Sequence, residues 1–393
     1  EKVLKNVKQE EYIYEIRRYP IPKKRWGFLP QSIQLFLQTD NYKSVDKDNN
    51  KYLKHDKPTT TLLRYGVEKS TNKSFIACIA DIYAYKKELK EVPSIDKMCN
   101  IIADAISLDL FVNYHNSSLI SIFTPKIYDS DDIDPTIYEE TDYVKKMDMS
   151  KEEHIKLITT TIASYENFIE FIRNPKSIID HTYLWDIVCS PNPKILQSGC
   201  NLSIIKMRDV DVTEDIEILC PTSVYSSILY DMRKETVIII KYDEQFYEPI
   251  YLFKQTIKKK DDIVVGHKMD IVKTFLEEKT IKNVRTSLQT IRNSIKKYCT
   301  PQTSMPRIYK FKKGILAEKL KFILLKKGFT IEKQVVNYKG KTIGIWVRAK
   351  EDGIMIPCYP SVQLDDTNIK VAIMDDDTLW NDYIPTRDRL KKI

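Results

Sequence analysis

Apolar residues along this chain recur at three different spacings, and each spacing predicts a different kind of element. Near-helical repeats fill Ser74 to Tyr85 and Ile95 to Phe111, and return from Ser150 to Arg173. Pro30 reads as a helix start, with Ile33, Leu35, Phe36 and Leu37 behind it. Thr39 to Thr61 has little apolar content and reads as a surface loop. From His181 to Lys254 the pattern changes to short apolar runs broken by turn residues, at 201–206, 216–219, 236–240 and 249–253, which predicts a β-rich unit. Tyr242 to Phe246 would close a hairpin between its last two strands.

Helical spacing resumes after a lysine-rich turn at Lys258, Lys259 and Lys260. Ile281, Val284, Leu288, Ile291, Ile295 and Tyr298 alternate intervals of three and four. A second helix over 315–327 ends at Gly328, well placed for a left-handed cap. Strands at 330–337 and 342–348 flank the turn 338–341, and 353–357 adds a third. These elements predict an α+β protein with a helix-rich part over 1–175, a β-rich unit over 176–255 and a basic α+β region over 256–393. At 393 residues the chain is long enough for two or three cores.

Charge changes the picture more than composition does. Residues 251–350 hold 25 Lys and Arg against 7 Asp and Glu, a net +18, while the rest carries 38 against 48, a net −10. A local positive field on an otherwise acidic chain suits a polyanion, and nucleic acid is the first candidate. Lys282, Arg285, Gln289, Arg292 and Lys296 keep step with the apolar seam one position later, so a basic edge runs beside it. Lys297, Lys312, Lys313, Lys341 and Arg348 extend the block with almost no acids between them. The basic, proline-stiffened strip Arg17, Arg18, Lys23, Lys24, Arg25 and Trp26 offers a second contact, to DNA or to a protein.

Chemistry-bearing patterns are sparse. Seven widely spaced cysteines with no C-x-x-C pair indicate neither a disulfide framework nor a zinc knuckle, and fit a reducing compartment. His181, Asp186 and Cys189 lie close in sequence, but catalytic partners normally converge from distant segments, so packing roles are expected. Acids at Asp186, Glu217 and Glu235 keep a metal-dependent nuclease in view, although no E-x-K follows on a strand. The acidic stretch 127–142 lacks the turn glycine of an EF-hand loop and reads as solvated. Gly340, Lys341 and Thr342 mimic the end of a phosphate-binding loop, but position 335 is valine where that motif needs its first glycine, so a hairpin turn is expected and no ATPase site. No cofactor is implied. No run of about 18 apolar residues suggests a membrane span, and no leader is evident. A start at Glu1 rather than methionine reads as a piece of a longer protein.

Several strings carry a resemblance. Tyr19-Pro-Ile-Pro-Lys-Lys-Arg-Trp-Gly-Phe-Leu-Pro-Gln-Ser-Ile-Gln34, Leu62-Leu-Arg-Tyr-Gly-Val-Glu68 and Ser74-Phe-Ile-Ala-Cys-Ile-Ala-Asp-Ile-Tyr83 are followed by Leu184-Trp-Asp186 with Pro191-Asn-Pro193. Glu217-Ile-Leu-Cys-Pro221, Tyr247-Glu-Pro-Ile-Tyr251 and Ile356-Pro-Cys-Tyr-Pro-Ser361 complete the set. Together they resemble the large subunit of the early transcription factor of nucleocytoplasmic large DNA viruses, over nearly the whole chain. The resemblance implies a non-enzymatic, double-stranded-DNA-binding subunit that recognises A/T-rich early promoters. It also implies pairing with a separate ATPase subunit, recruitment of the viral RNA polymerase, and residence in the virion and the host-cell cytoplasm. Members of that family are generally longer and carry a cysteine-rich segment upstream. Two alternatives stay open beside it, a virion-packaged scaffold protein and a nuclease.

Overall fold

The computed structural model describes residues 12–45, 52–54, 58–126, 133–207, 216–221, 229–242, 246–260, 263–299, 315–337, 339–349 and 352–373. The protein is α+β, as its sequence pattern predicts. Two compact units form, each from two separated segments: 1–105 with 172–302, and 106–171 with 303–393. The sequence pattern instead divides the chain into three consecutive blocks.

The first unit is built on an eight-stranded mixed sheet. Its strands are β1 (Ile13–Tyr14), β2 (Trp26–Gly27), β3 (Thr59–Tyr65), β4 (Asn201–Met207), β5 (Ile216–Leu219), β6 (Thr236–Tyr242), β7 (Phe246–Lys260) and β8 (Ile263–Val272). The order is β1-β2-β3-β7-β6-β4-β5, with β8 paired to β7. Every residue of β6 is buried, which fits the continuous apolar run Val237–Ile240 at the centre of a sheet covered on both faces. β6 and β7 meet as the expected hairpin, with Tyr242 opposite Phe246.

One face of this sheet packs against α1 (Gln31–Phe36) and the long helix α9 (Lys282–Tyr298). Leu29, Ile33, Leu37, Ile238, Ile240, Ile250, Leu252, Val284, Leu288, Ile291 and Ile295 form that core. The other face meets α2 (Ser74–Lys86), where Ser74 Oγ accepts from the Tyr247 amide at 2.8 Å and Tyr251 donates to Asp81 at 2.7 Å. α3 (Ile95–Asp104), N-capped by Ser94, and α8 (His181–Cys189), N-capped by Asp180, complete the unit.

Three expectations are corrected here. The segment 39–61 is not simply a surface loop: it contains the start of β3 and a short 3₁₀ turn, Asn41–Ser44. Asn41 is fully buried because its side chain accepts from the Leu29 amide and donates to Thr61 Oγ1 and the Leu62 carbonyl. Lys258, Lys259 and Lys260 lie in strand β7, opposite Gly266, Val264 and Ile263 of β8, and not in a turn. Finally, Cys220 and Cys299 form a disulfide across 79 residues of sequence. Cysteine spacing carries no sign of it, since the pair follows no local motif.

The basic strip 17–26 is not helical, and it is tied into the sheet. Lys24 donates its amide to Gly66 O at 2.8 Å, and Gly66 donates to Arg25 O at 2.8 Å. A Cβ on residue 66 would lie 2.1 Å from Pro22 O and 2.8 Å from Ile21 O, so only glycine allows this approach. Gly66→Ala is expected to lower unfolding stability by about 1–3 kcal/mol, as forced overpacking does. A urea midpoint indistinguishable from the parent's would refute that close approach.

The second unit holds α4 (Leu108–Asn113), α5 (Ser118–Phe123), α6 (Asp142–Lys145) and most of α7 (Glu152–Arg173). At its helical centre Phe168 meets Phe111 in a tilted pair and Phe123 edge to face, with centroids 5.4 Å and 4.7 Å apart. The same unit contains α10 (Ala317–Lys326) and a four-stranded sheet in the order β11-β10-β9-β12. These strands are β9 (Thr330–Val336), β10 (Thr342–Ala349), β11 (Asp352–Ser361) and β12 (Lys370–Ile373). Gly328 caps α10 at φ +80°, as its position in the sequence predicts. The triplet at 340–342 is indeed a hairpin turn: Gly340 has φ +67° and donates to Asn337 O at 2.8 Å.

Candidate nucleic-acid interface

Helix α9 carries no acidic residue over its 17 positions. Its buried side is Val284, Ser287, Leu288, Ile291 and Ile295; of the seam read from the sequence, Ile281 is the half-buried N-cap and Tyr298 is exposed, and Ser287 is added. Ser287 donates to the Leu37 carbonyl and Gln38 donates to Thr290 at 3.2 Å, so the flank of α9 beside α1 is used internally.

The predicted basic residues on α9 then divide into two kinds. Arg285 spends its guanidinium on the preceding turn, donating to the carbonyls of Glu277 at 3.1 Å, Glu278 at 3.1 Å and Thr280 at 3.2 Å. Arg292 sits 3.3 Å from Glu277 Oε1, and Glu277 is buried, so this arginine neutralises a carboxylate held out of water. Lys282, Lys296 and Lys297 are exposed. Tyr298 lies beneath Lys297, whose ammonium is 4.8 Å from the ring centroid, and the phenol holds its pKa up. Asn293, rather than Arg292, continues the exposed polar stripe between Lys282 and Lys296. Those two lysines are fourteen positions apart, about 21 Å along a helix at 1.5 Å per residue.

A second basic feature lies on the same unit. β3 pairs with β7 only as far as Gln255, and β6 covers only 246–249. Beyond Gln255, among the described strands, β7 pairs with β8 alone. The backbone therefore forms a two-stranded antiparallel ribbon that carries Lys258, Lys259 and Lys260 in its sequence.

The other predicted residues are distributed as follows. Lys341 is exposed at the hairpin turn of the second unit, and Arg348 pairs with Glu332 at 2.6 Å. Lys312 and Lys313 lie outside the described residues. Arg17, Arg18, Lys23 and Lys24 are exposed, but Arg18 stacks over Tyr14 at 4.6 Å and Lys23 pairs with Glu68 at 3.3 Å. Arg25 is half-buried. Trp26 is corrected from surface to core: it is buried against Phe253 and Tyr65, with centroids 5.0 Å and 4.8 Å away.

The patterns that suggested enzyme chemistry become structural contacts. His181 Nδ1 bonds the Tyr247 hydroxyl at 2.8 Å among Phe75 and Trp185. The Cys189 thiol lies against Cys200, and this neighbour together with burial drives its pKa well up, the opposite of an activated nucleophile. Glu235 pairs with Lys86 at 2.8 Å. Among the described residues no three His, Cys, Asp or Glu side chains gather as metal ligands. No described helix is long and apolar enough to cross a membrane.

Sequence reasoning missed the most completely buried charge among the described residues. Arg64 is fully buried and uses all five of its N–H donors. Nε donates to Phe28 O at 2.6 Å, Nη1 to Arg18 O at 3.2 Å and Glu248 at 3.0 Å, and Nη2 to Glu15 O at 2.9 Å and Ile16 O at 3.2 Å. Glu248 also accepts from the Ile21 amide at 2.6 Å. Burial pushes the Glu248 carboxyl upward, against the pull of Arg64 and that amide. The sequence signal was a lone charge inside each of two apolar strand runs.

No family model, curated protein or solved structure matches the chain.

Proposed function

We propose that this chain is the DNA-binding subunit of a viral early transcription initiation factor, a protein that grips A/T-rich promoter duplexes and performs no catalysis itself. The observation that carries the reading is charge segregation: a net +18 in residues 251–350 against −10 elsewhere. The acid-free helix α9 supports it, because Lys282, Lys296 and Lys297 are exposed beside a seam that fixes them in place. So does the basic ribbon of β7 and β8, since a two-stranded ribbon is among the elements the major groove admits. Phosphate contacts of this kind position a protein, and specificity then comes from base edges or from groove shape, such as the narrow minor groove of A-tracts. On this reading the working partners are a separate ATPase subunit and the viral RNA polymerase, in the virion and the cytoplasm of the infected cell.

The test is fluorescence anisotropy of the chain with an A/T-rich promoter duplex and a shuffled duplex, from about 50 to 200 mM salt. Preference for the promoter and a steep salt dependence are expected. Replacing Lys282, Lys296 and Lys297 by glutamine should reduce the slope of log affinity against log salt by about 2.7, at roughly 0.9 for each phosphate no longer neutralised. An unchanged slope would remove α9 from the interface. Absence of binding at low salt would remove the DNA reading altogether and leave the scaffold.

A further inference from the structure

Two free thiols of the first unit lie against one another. Cys189 ends α8, Cys200 immediately precedes β4, and the loop 190–199 between them folds back on itself. The amides of Asn192 and Gly199 both donate to the Leu196 carbonyl at 2.9 Å. Gly199 takes φ +63°, and a Cβ there would lie 2.2 Å from the Cys189 carbonyl oxygen, so only glycine lets the chain return this close to the end of α8. Cys200 therefore lands on the last turn of that helix, with Sγ 3.6 Å from the Val188 carbonyl. In the other direction the Cys189 thiol accepts from the Leu202 amide, and the two thiols hydrogen-bond each other. The remaining free cysteines, Cys78, Cys99 and Cys358, are buried, and among the described contacts none of them meets another cysteine.

Packing alone does not account for this arrangement. A thiol is a weak donor and a weak acceptor, so the pair gains little from its contact. The loop that creates the contact nevertheless needs a glycine where any side chain would collide. Two thiols held together gain far more from oxidation. The fold has already met the entropy of bringing the sulfurs into reach, so once one of them is joined to a small thiol its neighbour displaces that thiol intramolecularly.

We infer that Cys189 and Cys200 are a redox-active dithiol that closes to a disulfide when the chain meets a small-molecule disulfide such as oxidised glutathione. The thiolate of one cysteine attacks a glutathione disulfide sulfur, forming a mixed disulfide and releasing one glutathione thiolate. The thiolate of the other cysteine attacks the protein sulfur of that mixed disulfide, forms the Cys189–Cys200 bond and releases the second. The protein gives up two electrons and two thiol protons, and both leave on two molecules of glutathione. Closure is slow, because the Cys200 neighbour and burial hold the Cys189 thiol well above its ordinary pKa and thiolate is scarce. The new bond joins the end of α8 to the start of β4, the strand between β6 and β5. Cys220, already bonded to Cys299, follows β5, so the two disulfides fasten neighbouring strands. The inference does not depend on DNA binding, since neither cysteine lies in α9 or the ribbon.

The test incubates the full chain, with Cys220–Cys299 closed, in native buffer with rising fractions of oxidised glutathione for about a day, beyond the minutes to hours of uncatalysed exchange. Samples are quenched in acid, denatured, alkylated with N-ethylmaleimide and mapped by mass spectrometry. Trypsin cuts after Lys194, so a Cys189–Cys200 bond appears as two peptides joined through sulfur. Those joined peptides are expected to accumulate as the oxidised fraction rises, while alkylation falls from five thiols to three. Cys78, Cys99 and Cys358 should be labelled throughout, and dithiothreitol should restore the other two. In Cys189→Ser and in Cys200→Ser the surviving thiol should stay alkylated or carry glutathione, joined to no other cysteine. If the parent keeps both thiols alkylated at the most oxidising ratio, or holds either as a lasting glutathione adduct or a bond to Cys220 or Cys299, the proposal is overturned. Loss of all five thiols together would also overturn it, because the fold would then have opened rather than one pair closed.

Discussion

Arg64→Met is expected to cost about 3–5 kcal/mol of unfolding stability, because it leaves the Glu248 carboxylate buried without its counter-charge. The loss is wider than one ion pair. Four backbone carbonyls, those of Glu15, Ile16, Arg18 and Phe28, accept from the same guanidinium and would lose that donor, the Phe28 carbonyl in a fully buried position and the other three in part-buried ones. Arg64→Lys should be nearly as damaging, since an ammonium has three donors and no planar fork to span five acceptors. Glu248→Gln leaves the opposite charge buried and also loses strength at the Ile21 amide. Arg64→Met combined with Glu248→Leu removes both charges, so its cost should fall well short of the sum of the single changes, the difference being their coupling. Urea unfolding of the single and double variants gives that cycle. Hydrogen exchange should localise the damage to residues 13–28, whose amides ought to exchange faster in every Arg64 variant. Single changes that cost under about 1 kcal/mol, the range of an exposed pair, would mean that the pair is hydrated in solution.

Arg64 also shows why parts of this protein are legible in its sequence and others are not. Two long helices are legible because packing is periodic: Glu152–Arg173 and Lys282–Tyr298 each bury residues that repeat at helical spacing, whereas Ser74–Lys86 is buried almost all round, continuously from Ser74 to Ile82. The β9–β10 hairpin is legible through Gly340, whose positive φ a turn requires. Two-residue strands such as β1 and β2 have no period to detect: they pair with each other and with β3, and the carbonyls of Glu15 and Phe28 just after them are held by a side chain 36 to 49 positions away. Asn41 resembles surface because it is polar, yet it is buried by satisfying three backbone and side-chain groups, which only the folded chain brings together. His181–Cys189 falls inside the stretch that reads as β-rich, although Asp180 ahead of it is a usable helix-start signal. Lys258–Lys260 read as a turn because a strand paired on one side only needs no alternation of apolar residues. On α9 the charge pattern is visible and its use is not: spacing places Arg292 on the basic edge, and only the buried Glu277, fifteen residues earlier, reveals that it is already engaged.

Reducing the Cys220–Cys299 disulfide is expected to destabilise the first unit by about 2–4 kcal/mol, because the bond closes a loop spanning 79 residues that the unfolded chain would otherwise explore. Its position makes the effect specific. Cys220 follows β5, the edge strand of the large sheet, and Cys299 is the residue at which α9 ends. The bond therefore anchors the terminal turn of α9, with Lys296 and Lys297, to the edge of the sheet, while Ile291 and Ile295 hold the preceding turns in the core. Cys220→Ser is the cleaner probe, since Cys220 is exposed and its replacement leaves no cavity, whereas Cys299 is buried among the core residues. A scan of the parent in dithiothreitol should melt about 5–10 °C below the oxidised protein, at the few degrees per kcal/mol typical of a unit this size. The serine variant should melt at that lower temperature with or without reductant. If anchoring matters at the proposed interface, reduction should also flatten the salt dependence of DNA binding, because two of the three lysines assigned to phosphates would no longer be held in place. Equal melting of oxidised parent, reduced parent and Cys220→Ser would show that the core alone fixes the end of α9 and that the disulfide adds nothing to it.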